Sequence, residues 1–382
     1  MEQRIGIIMN GITGRMGLNQ HLIRSVLAIR DMGGLPLVDG SKLMPDPILV
    51  GRNKQKVEEI AKRLSVSRFT TDLSNALENT DDIVFFDSST TQMRVEILKK
   101  AIAAGKHIYC EKPVSENLQG ALEIARYAKQ KGVKNGVVHD KLYLPGLLKL
   151  KRLRDSGFFG RIISVRGEFG YWVFDGEMIP AQRPSWNYRK NDGGGIIKDM
   201  LCHWRYVLDN VVAPVKSVSC TGQVNIVERW DEARQKYISD ADDAAYALFE
   251  LEGGIIAQIN SSWCVRVKRE DLVTFQVDGT LGSAVAGLHN CSTQHHVNTP
   301  KPTWNPDQPQ NINYFDHWEP VPDNTEFKNG FQSQWEEFLR HVVEDGPWKY
   351  DLYEGAKGVQ LAECALQSWK ERRWVDVPEI EV

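Results

Sequence analysis

Three side chains at two places in the sequence have the chemistry needed to move a proton during the oxidation of an alcohol. Lys112 lies between Glu111 and Pro113, directly after a short apolar run, and Asp199 and His203 stand four residues apart. On a helix, that spacing puts the last two on one face. Histidine has a suitable unperturbed pKa for taking the hydroxyl proton, and a cationic lysine stabilises negative charge on the substrate oxygen. A surface Glu–Lys pair and ordinary polar groups of a helix are the alternatives.

A glycine-rich loop near the start of the chain has the pattern of a phosphate-binding turn. Gly11, Gly14 and Gly17 follow an apolar run and begin a predicted helix. In dinucleotide-binding folds such glycines permit a tight turn and let backbone N–H groups approach a pyrophosphate. A plain strand-to-helix turn is the alternative. The candidate cofactor-binding residues of this loop are Gly11, Thr13, Gly14, Arg15, Met16 and Gly17.

The residues after the second predicted strand bear on which nicotinamide cofactor is bound. NAD-binding proteins commonly have an acidic residue there, which bonds to the ribose 2′-hydroxyl, whereas an arginine accommodates the 2′-phosphate of NADP. This chain has Gly51, Arg52 and Asn53 at that point and no carboxylate. We therefore predict that Arg52 and Asn53 contact the cofactor and that NADP is favoured over NAD. A solvated turn residue is the alternative for Arg52.

The elements that must position these residues change in kind along the chain. The first part alternates short apolar runs with helical stripes, which predicts βαβ units and a parallel sheet. The predicted strands of this part are 4–9, 47–50, 69–71, 81–86 and 107–110. Residues 30–46 are interpreted as an insertion before the second strand.

Beyond about residue 140, long extended runs joined by short turns predict a largely antiparallel sheet. These runs are 162–171, 215–227, 244–251, 254–263 and 272–277. Residues 298–322 contain repeated prolines and two tryptophans and are predicted to form an extended loop or arm. Two domains, divided near residue 140, follow from this change.

Composition excludes several classes of protein. The 382 residues include 47 basic and 50 acidic side chains, a net charge of -3, which argues against a nucleic-acid binder held by charge. No apolar run approaches the roughly 18 residues of a membrane helix, and the first residues leave no room for a targeting segment. We expect a cytoplasmic protein. Six cysteines without C-x-x-C spacing predict neither a disulfide framework nor a metal site.

Three motifs, in this order, resemble those of the Gfo/Idh/MocA family of nicotinamide-dependent oxidoreductases. They are the glycine loop, the run A-x-x-A-G-K-H-x-x-C-E-K-P over 101–113, and G-G-G-x-x-x-D-x-x-x-H over 193–203. Lesser matches extend the resemblance over nearly the whole chain. It implies an α/β fold with a doubly wound, parallel-sheet Rossmann domain for NAD(P), predicted over 1–138. A C-terminal α/β domain with a large open, mainly antiparallel sheet, for substrate binding and oligomerisation, is predicted over 139–382.

The resemblance also implies an active site between the two domains. The catalytic lysine of the family falls on Lys112, and its aspartate and histidine fall on Asp199 and His203. We predict His203 as the principal acid/base, Lys112 as a hydrogen-bonding polariser and relay, and Asp199 as the partner that orients the substrate. The Lys-Pro bond of the family is often cis, which would apply to Lys112–Pro113.

One stretch beside the expected cofactor departs from the family pattern. Where the family often has Pro-Asn-x-x-His after the fourth strand, this chain has Asp87 to Arg94, with Arg94 in the place of the histidine. The loop normally lies beside the cofactor, so Ser88 and Thr90 are predicted cofactor contacts. Glu111, next to the catalytic lysine, is predicted to be another.

Aromatic and basic residues predict the substrate class. Trp172, Arg183 and Trp186 precede the triple glycine, and aromatic faces with nearby hydrogen-bonding groups suit a sugar or cyclic-polyol ring. Arg183 would suit a carboxylate or phosphate. Lys141 stands where the family has an arginine-rich stretch and is predicted to supply positive charge near the substrate. Core packing and a solvated lysine are the respective alternatives.

Together these features predict an NAD(P)-dependent dehydrogenase or reductase acting on a secondary alcohol or ketone of a sugar, cyclic polyol or sugar derivative. Dehydrogenation of a carboxylated cis-dihydrodiol is a close variant. A non-catalytic ligand-sensing regulator of the same fold is the alternative from another class. The expected partner is a small-molecule substrate, with no nucleic acid and no membrane. The resemblance implies a homo-oligomer, a dimer or a tetramer.

Overall fold

The computed structural model describes residues 1–170, 176–177, 180 and 183–381. The chain divides into two compact units, and the first of them includes two segments from the C-terminal part of the sequence. Unit 1 comprises Met1–Tyr143, Lys328–Glu363 and Glu379–Val382, and unit 2 comprises Leu144–Phe327 and Cys364–Pro378. The predicted functional domains, 1–138 and 139–382, are a separate division of the chain and stay a prediction.

The sheet of unit 1 has seven strands among the described residues, and all pairs except β2–β3 are parallel. The strands are β1 (Glu2–Asn10), β2 (Leu35–Pro36), β3 (Lys42–Val50), β4 (Phe69–Thr70), β5 (Val84–Asp87), β6 (His107–Cys110) and β7 (Asn135–Val137). The parallel strands are arranged in the order β4-β3-β1-β5-β6-β7. This is the strand order of the dinucleotide-binding doubly wound fold.

Helices cover both faces of this sheet. They are α1 (Met16–Leu27, continuing as Ala28–Asp31), α2 (Lys54–Arg63), α3 (Leu73–Glu78), α4 (Thr91–Ala103), α5 (Leu118–Lys131), α8 (Gly330–Glu344) and the first part of α9 (Leu352–Glu371). Alternate residues of β1 enter different cores: Ile7 packs in the cluster that contains Trp335, and Ile8 in the cluster that contains Leu98. A strand buried on both faces explains the continuous apolar sequence of β1.

The sheet of unit 2 has nine strands in the described part of the chain, in the order β17-β16-β15-β14-β8-β13-β12-β9-β18. They are β8 (Ile162–Gly170), β9 (Val215–Gln223), β12 (Ala244–Leu251), β13 (Ile255–Ser262), β14 (Val273–Gly279), β15 (Gly282–Ala286), β16 (Cys291–His295), β17 (Glu319–Pro320) and β18 (Val375–Asp376). Neighbouring strands are antiparallel except for the β8–β13 pair. The predicted fold class is confirmed.

Helix α7 (Ile196–Val211) packs on this sheet through a large aromatic side chain. Trp204 is 1% exposed, and its indole Nε1 donates a hydrogen bond to the Ser261 hydroxyl over 2.9 Å. The Trp204 ring meets Phe275 edge to face at 5.5 Å. These contacts fix the rotation of α7, the helix that carries Asp199 and His203. Helix α6 (Pro145–Asp155) also belongs to unit 2 and precedes α7 in the chain.

A two-stranded hairpin, β10 (Glu228–Trp230) and β11 (Lys236–Ile238), is attached to unit 2 by a fully buried ion pair. Arg229 Nη2 lies 2.9 Å from Asp243 Oδ2, and both side chains are 0% exposed. The Arg229 guanidinium also stacks 3.8 Å from the centre of the Tyr188 ring. Removing one partner of such a pair leaves an uncompensated charge in the protein interior.

We expect Arg229→Met to lower the free energy of unfolding by about 3 kcal/mol, because Asp243 would stay buried without its cation. Urea unfolding followed by circular dichroism measures this. Lys236→Met on the same hairpin is the matched control, since the Lys236–Glu228 pair is exposed and should contribute less than about 1 kcal/mol. Equal losses of unfolding free energy in the two variants would contradict the larger contribution assigned to the buried Arg229–Asp243 pair.

Candidate active site

The glycine loop is pressed against the residue that follows β5. At Gly11, where φ is +80°, a Cβ would lie 2.7 Å from the Ser88 carbonyl carbon. At Gly17 it would lie 2.7 Å from the Gly11 carbonyl oxygen. Helix α1 then begins with no side-chain cap and no acidic residue in its first turn. Its first N–H groups and positive dipole end therefore suit an anionic pyrophosphate, so the residues present fit a dinucleotide.

The other predicted cofactor contacts lie along the carboxyl edge of the same sheet, where ligands of this fold bind. In the glycine loop, Thr13, Gly14 and Arg15 are exposed and Met16 is half-buried. Ser88 donates both its N–H and its hydroxyl to the Asn10 carbonyl oxygen over 3.1 Å. Those two bonds hold Ser88 against the glycine loop.

The start of α4 and the end of β3 complete this edge. Thr90 is exposed at the N-terminus of α4 and makes no capping hydrogen bond. After β3, Arg52 is exposed, and the Asn53 side chain accepts the Lys56 N–H over 3.0 Å. The amide oxygen of Asn53 thus caps α2, and no acidic residue stands in the first turn of that helix.

The lysine motif follows β6, and its glutamate is turned inward. Glu111 is 7% exposed; its Oε2 accepts the Lys112 N–H over 3.2 Å, and its Oε1 lies 2.8 Å from His21 Nε2. Lys112 itself is half-buried, and the Lys112–Pro113 bond is cis. Glu111 therefore anchors the backbone of Lys112, and its contact with the cofactor stays a prediction.

His21 and Trp335 stand behind this glutamate, and sequence reasoning did not identify either of them. Trp335 Nε1 lies 3.0 Å from His21 Nδ1, and His21 is 0% exposed. Because an indole N–H only donates, Nδ1 must accept, and His21 Nε2 then carries the hydrogen that is donated to Glu111. The available signal was a histidine on the apolar face of α1, next to Leu22.

The N-terminus of α7 is held by an aspartate from a distant part of the sequence. Asp242 Oδ2 accepts the Ile197 N–H over 2.7 Å, and the Asp242 carbonyl accepts the Ile196 N–H over 2.8 Å. A Cβ on Gly195, where φ is +116°, would lie 2.6 Å from Asp242 Oδ1. The last glycine of the triple-glycine motif is therefore needed for this close approach. Burial raises the pKa of the Asp242 carboxyl to about 6.

On α7 the structure brings two predicted residues together. Arg183 Nη1 donates to Asp199 Oδ2 over 2.7 Å, and the Arg183 guanidinium stacks 4.6 Å from the centre of the Trp263 ring. His203 is 4% exposed, and its Nδ1 lies 2.5 Å from the Tyr206 hydroxyl. Arg183 is thus already paired with a carboxylate of the protein itself. Trp263 and Tyr206 were not identified from the sequence.

The remaining predicted substrate residues have different surroundings. Trp186 is 50% exposed, and Lys141 Nζ pairs with Asp140 Oδ2 at 2.7 Å. Trp172 lies outside the described residues. Within the described ranges, no group of three or more histidine, cysteine or acidic side chains is arranged to hold a metal ion. No helix in the described ranges combines the length and the hydropathy needed to cross a bilayer.

Comparison with known proteins gives the class of protein. Residues 45–139 match the oxidoreductase family with an NAD-binding Rossmann fold, and residues 147–285 match the GFO/IDH/MocA C-terminal domain. The chain is 57% identical over 380 residues to a D-xylose dehydrogenase of Paenarthrobacter nicotinovorans, with 98% of each chain covered. This chain belongs to the Gfo/Idh/MocA family of oxidoreductases. It is a dehydrogenase or reductase that acts on CH–OH groups, as predicted.

More distant proteins share the fold. A levoglucosan dehydrogenase of Pseudarthrobacter phenanthrenivorans is 23% identical over 252 residues, which cover 62% of this chain and 64% of that protein. A solved structure of levoglucosan dehydrogenase in complex with NADH and L-sorbose superposes with a TM-score of 0.80 at 20% identity, covering 98% of both chains. The latter likeness supports the two-sheet fold.

The raised pKa of Asp242 gives a testable pH dependence. A carboxyl whose pKa rises from 3.8 to about 6 on folding binds its proton more tightly in the native state, so it costs stability as pH increases from 4 to 6. Asp242→Asn removes this titration. We expect the variant to gain stability relative to the wild type across that window, by at most about 1.4 kcal/mol per pH unit. Urea unfolding at pH 4.5, 5.5, 6.5 and 7.5 measures the difference, and a difference independent of pH would contradict the prediction.

Proposed function

We propose that this chain is a sugar dehydrogenase that oxidises D-xylose or a closely related aldopentose and favours NADP as the hydride acceptor. The observation that carries the proposal is the 57% identity, over nearly the whole chain, to a D-xylose dehydrogenase. The levoglucosan dehydrogenases that share the fold are also named for a carbohydrate substrate. The substrate class predicted from the aromatic and basic residues is the same.

The proposed chemistry assigns one task to each of three residues. The nicotinamide of the bound cofactor supplies the acceptor for a hydride from the carbon that bears the hydroxyl. His203 takes the hydroxyl proton; with Nδ1 engaged by Tyr206, Nε2 is the ring nitrogen assigned to that step. Lys112 donates a hydrogen bond to the same oxygen and stabilises its developing negative charge. Proton and hydride together account for the two hydrogens that the alcohol loses.

Asp199 is proposed to orient the sugar. A carboxylate accepts hydrogen bonds from neighbouring hydroxyls, and Arg183 holds that carboxylate at 2.7 Å while stacking on Trp263. We therefore assign Arg183 to aligning Asp199. Because Asp199 supplies the carboxylate that pairs with Arg183, the substrate can be a neutral sugar. Trp186, half-exposed, and Lys141 are proposed as further substrate contacts, the first by packing on the apolar face of the ring.

The preference for NADP rests on the end of β3. Arg52 is exposed there, and the described residues give it no hydrogen bond or ion pair. The first turn of α2 has no acidic residue, and it contains Lys54 and Lys56. A guanidinium beside two lysines favours a 2′-phosphate over a 2′-hydroxyl, because phosphate forms charge-assisted hydrogen bonds with Arg.

The substrate assignment is tested by the absorbance of reduced nicotinamide at 340 nm with D-xylose, L-arabinose, D-glucose and a carboxylated cis-dihydrodiol. We expect D-xylose to give the highest kcat/KM. Lys112→Ala and His203→Ala should each lower kcat about 100-fold or more, because each removes a group that acts on the reacting oxygen. Lys100→Ala on the exposed face of α4 is the matched control and should keep wild-type kcat. Turnover of the dihydrodiol alone would overturn the sugar assignment.

The cofactor preference is tested separately with Arg52→Ala. Loss of a charge-assisted contact should raise KM for NADP about tenfold and leave KM for NAD nearly unchanged. Lys62→Ala, at the other end of α2, controls for a general loss of positive charge and should leave both constants unchanged. If Arg52→Ala changes the two KM values by the same factor, the preference for NADP is not set by Arg52.

A further inference from the structure

Arg94 occupies the position at which the family often has a histidine, and its side chain is 3% exposed. Its guanidinium is bonded to three acceptors in two segments of unit 1. Nε donates to Asp87 Oδ2 over 2.9 Å, Nη2 donates to the Ser89 carbonyl over 2.6 Å, and Nη1 donates to the Pro113 carbonyl. One side chain thus reaches the end of β5, the loop before α4 and the residue next to Lys112.

Both backbone acceptors lie in loops without regular secondary structure. Residues 88–90 and 111–113 follow the neighbouring parallel strands β5 and β6, and the Glu111 N–H donates to the Asp87 carbonyl over 2.9 Å where the two strands end. Beyond that bond, the Arg94 side chain donates to a carbonyl of each loop and so connects them. An imidazole has two nitrogens and cannot serve three acceptors in three directions, whereas a guanidinium has five N–H donors in a fixed plane.

Asp87 explains why an arginine can be buried at this place. Its carboxylate is 0% exposed and accepts from Asn10 Nδ2 over 2.8 Å, from the Ser89 hydroxyl over 2.9 Å and from Arg94. The charge of Arg94 is therefore balanced by one carboxylate, which leaves the Nη groups for the two carbonyls. The cost of burying both charges is offset only while these bonds are made.

From this geometry we propose that Arg94 is a positioning residue for the cofactor. It fixes the 88–90 loop, which packs on the glycine loop through Ser88, against the 111–113 motif that carries Lys112. Arg94 acts through these two loops and does not itself touch the cofactor. The proposal concerns NAD(P) binding by unit 1 and holds whichever sugar is the substrate.

The test separates positioning from stability with two variants. Arg94→Met removes all three bonds and leaves Asp87 buried and uncompensated. Asp87→Asn/Arg94→Met removes that charge as well, but it restores neither bond to the loop carbonyls. We expect both variants to bind NADPH about tenfold more weakly or worse, measured by fluorescence titration of folded protein, because displaced loops no longer match the cofactor. The melting temperature should fall in the single variant and recover substantially in the double variant.

Arg68→Met is the matched control, because Arg68 is also an arginine of unit 1 that is paired with a buried carboxylate. It pairs with Asp46 at 3.0 Å and with the buried Asp82, and it contacts neither loop. We expect it to lower the melting temperature without changing the Kd for NADPH. The proposal is overturned if the double variant regains wild-type NADPH affinity together with its stability. It is also overturned if Arg68→Met weakens NADPH binding as much as Arg94→Met does.

Discussion

The buried carboxylate of Asp87 is the constraint on which the cofactor edge of unit 1 depends. A charge removed from water must be fully paired, and Asp87 is paired by Asn10 at the end of β1, by Ser89 and by Arg94. Strands β1 and β5 are the neighbours at which the strand order reverses, which is where ligands of doubly wound sheets bind. The same bonds that satisfy the charge therefore hold together the loops that are proposed to form the cofactor site.

Helix α7 of unit 2, which carries the proposed catalytic residues, depends on a comparable arrangement. Asp242 satisfies two N–H groups at the start of α7, and Gly195 provides the space that this carboxylate needs. Farther along the helix, Arg183 aligns Asp199 while it stacks on Trp263. In both units a buried or half-buried acidic side chain is fixed by bonds from a distant segment. These bonds hold the proposed site residues in fixed positions on regular secondary structure.

The sequence predicted strands that have a continuous apolar pattern, and it missed strand residues whose pairing depends on neighbouring strands. The predicted strand 107–110 coincides with β6. Strand β3 begins at Lys42, earlier than the predicted 47–50, and it contains Pro45 and Pro47. Their positions two apart put both missing N–H groups on one side of β3, and β2 and β4 pair with other residues of that strand. Part of the predicted insertion 30–46 is thus strand.

The sequence by itself determined the class of protein, because its three motifs are local: each needs only a few consecutive residues of the right type. The tertiary structure decided what each polar side chain is bonded to. His21 and Trp335 are 314 residues apart, and Arg183 meets Asp199 only because a loop returns to α7. No periodic pattern in the sequence predicts such contacts, since they follow from how whole helices and strands pack. Arg94 is the clearest case: the sequence marked it as a departure from the family, and the fold shows which two loops it joins.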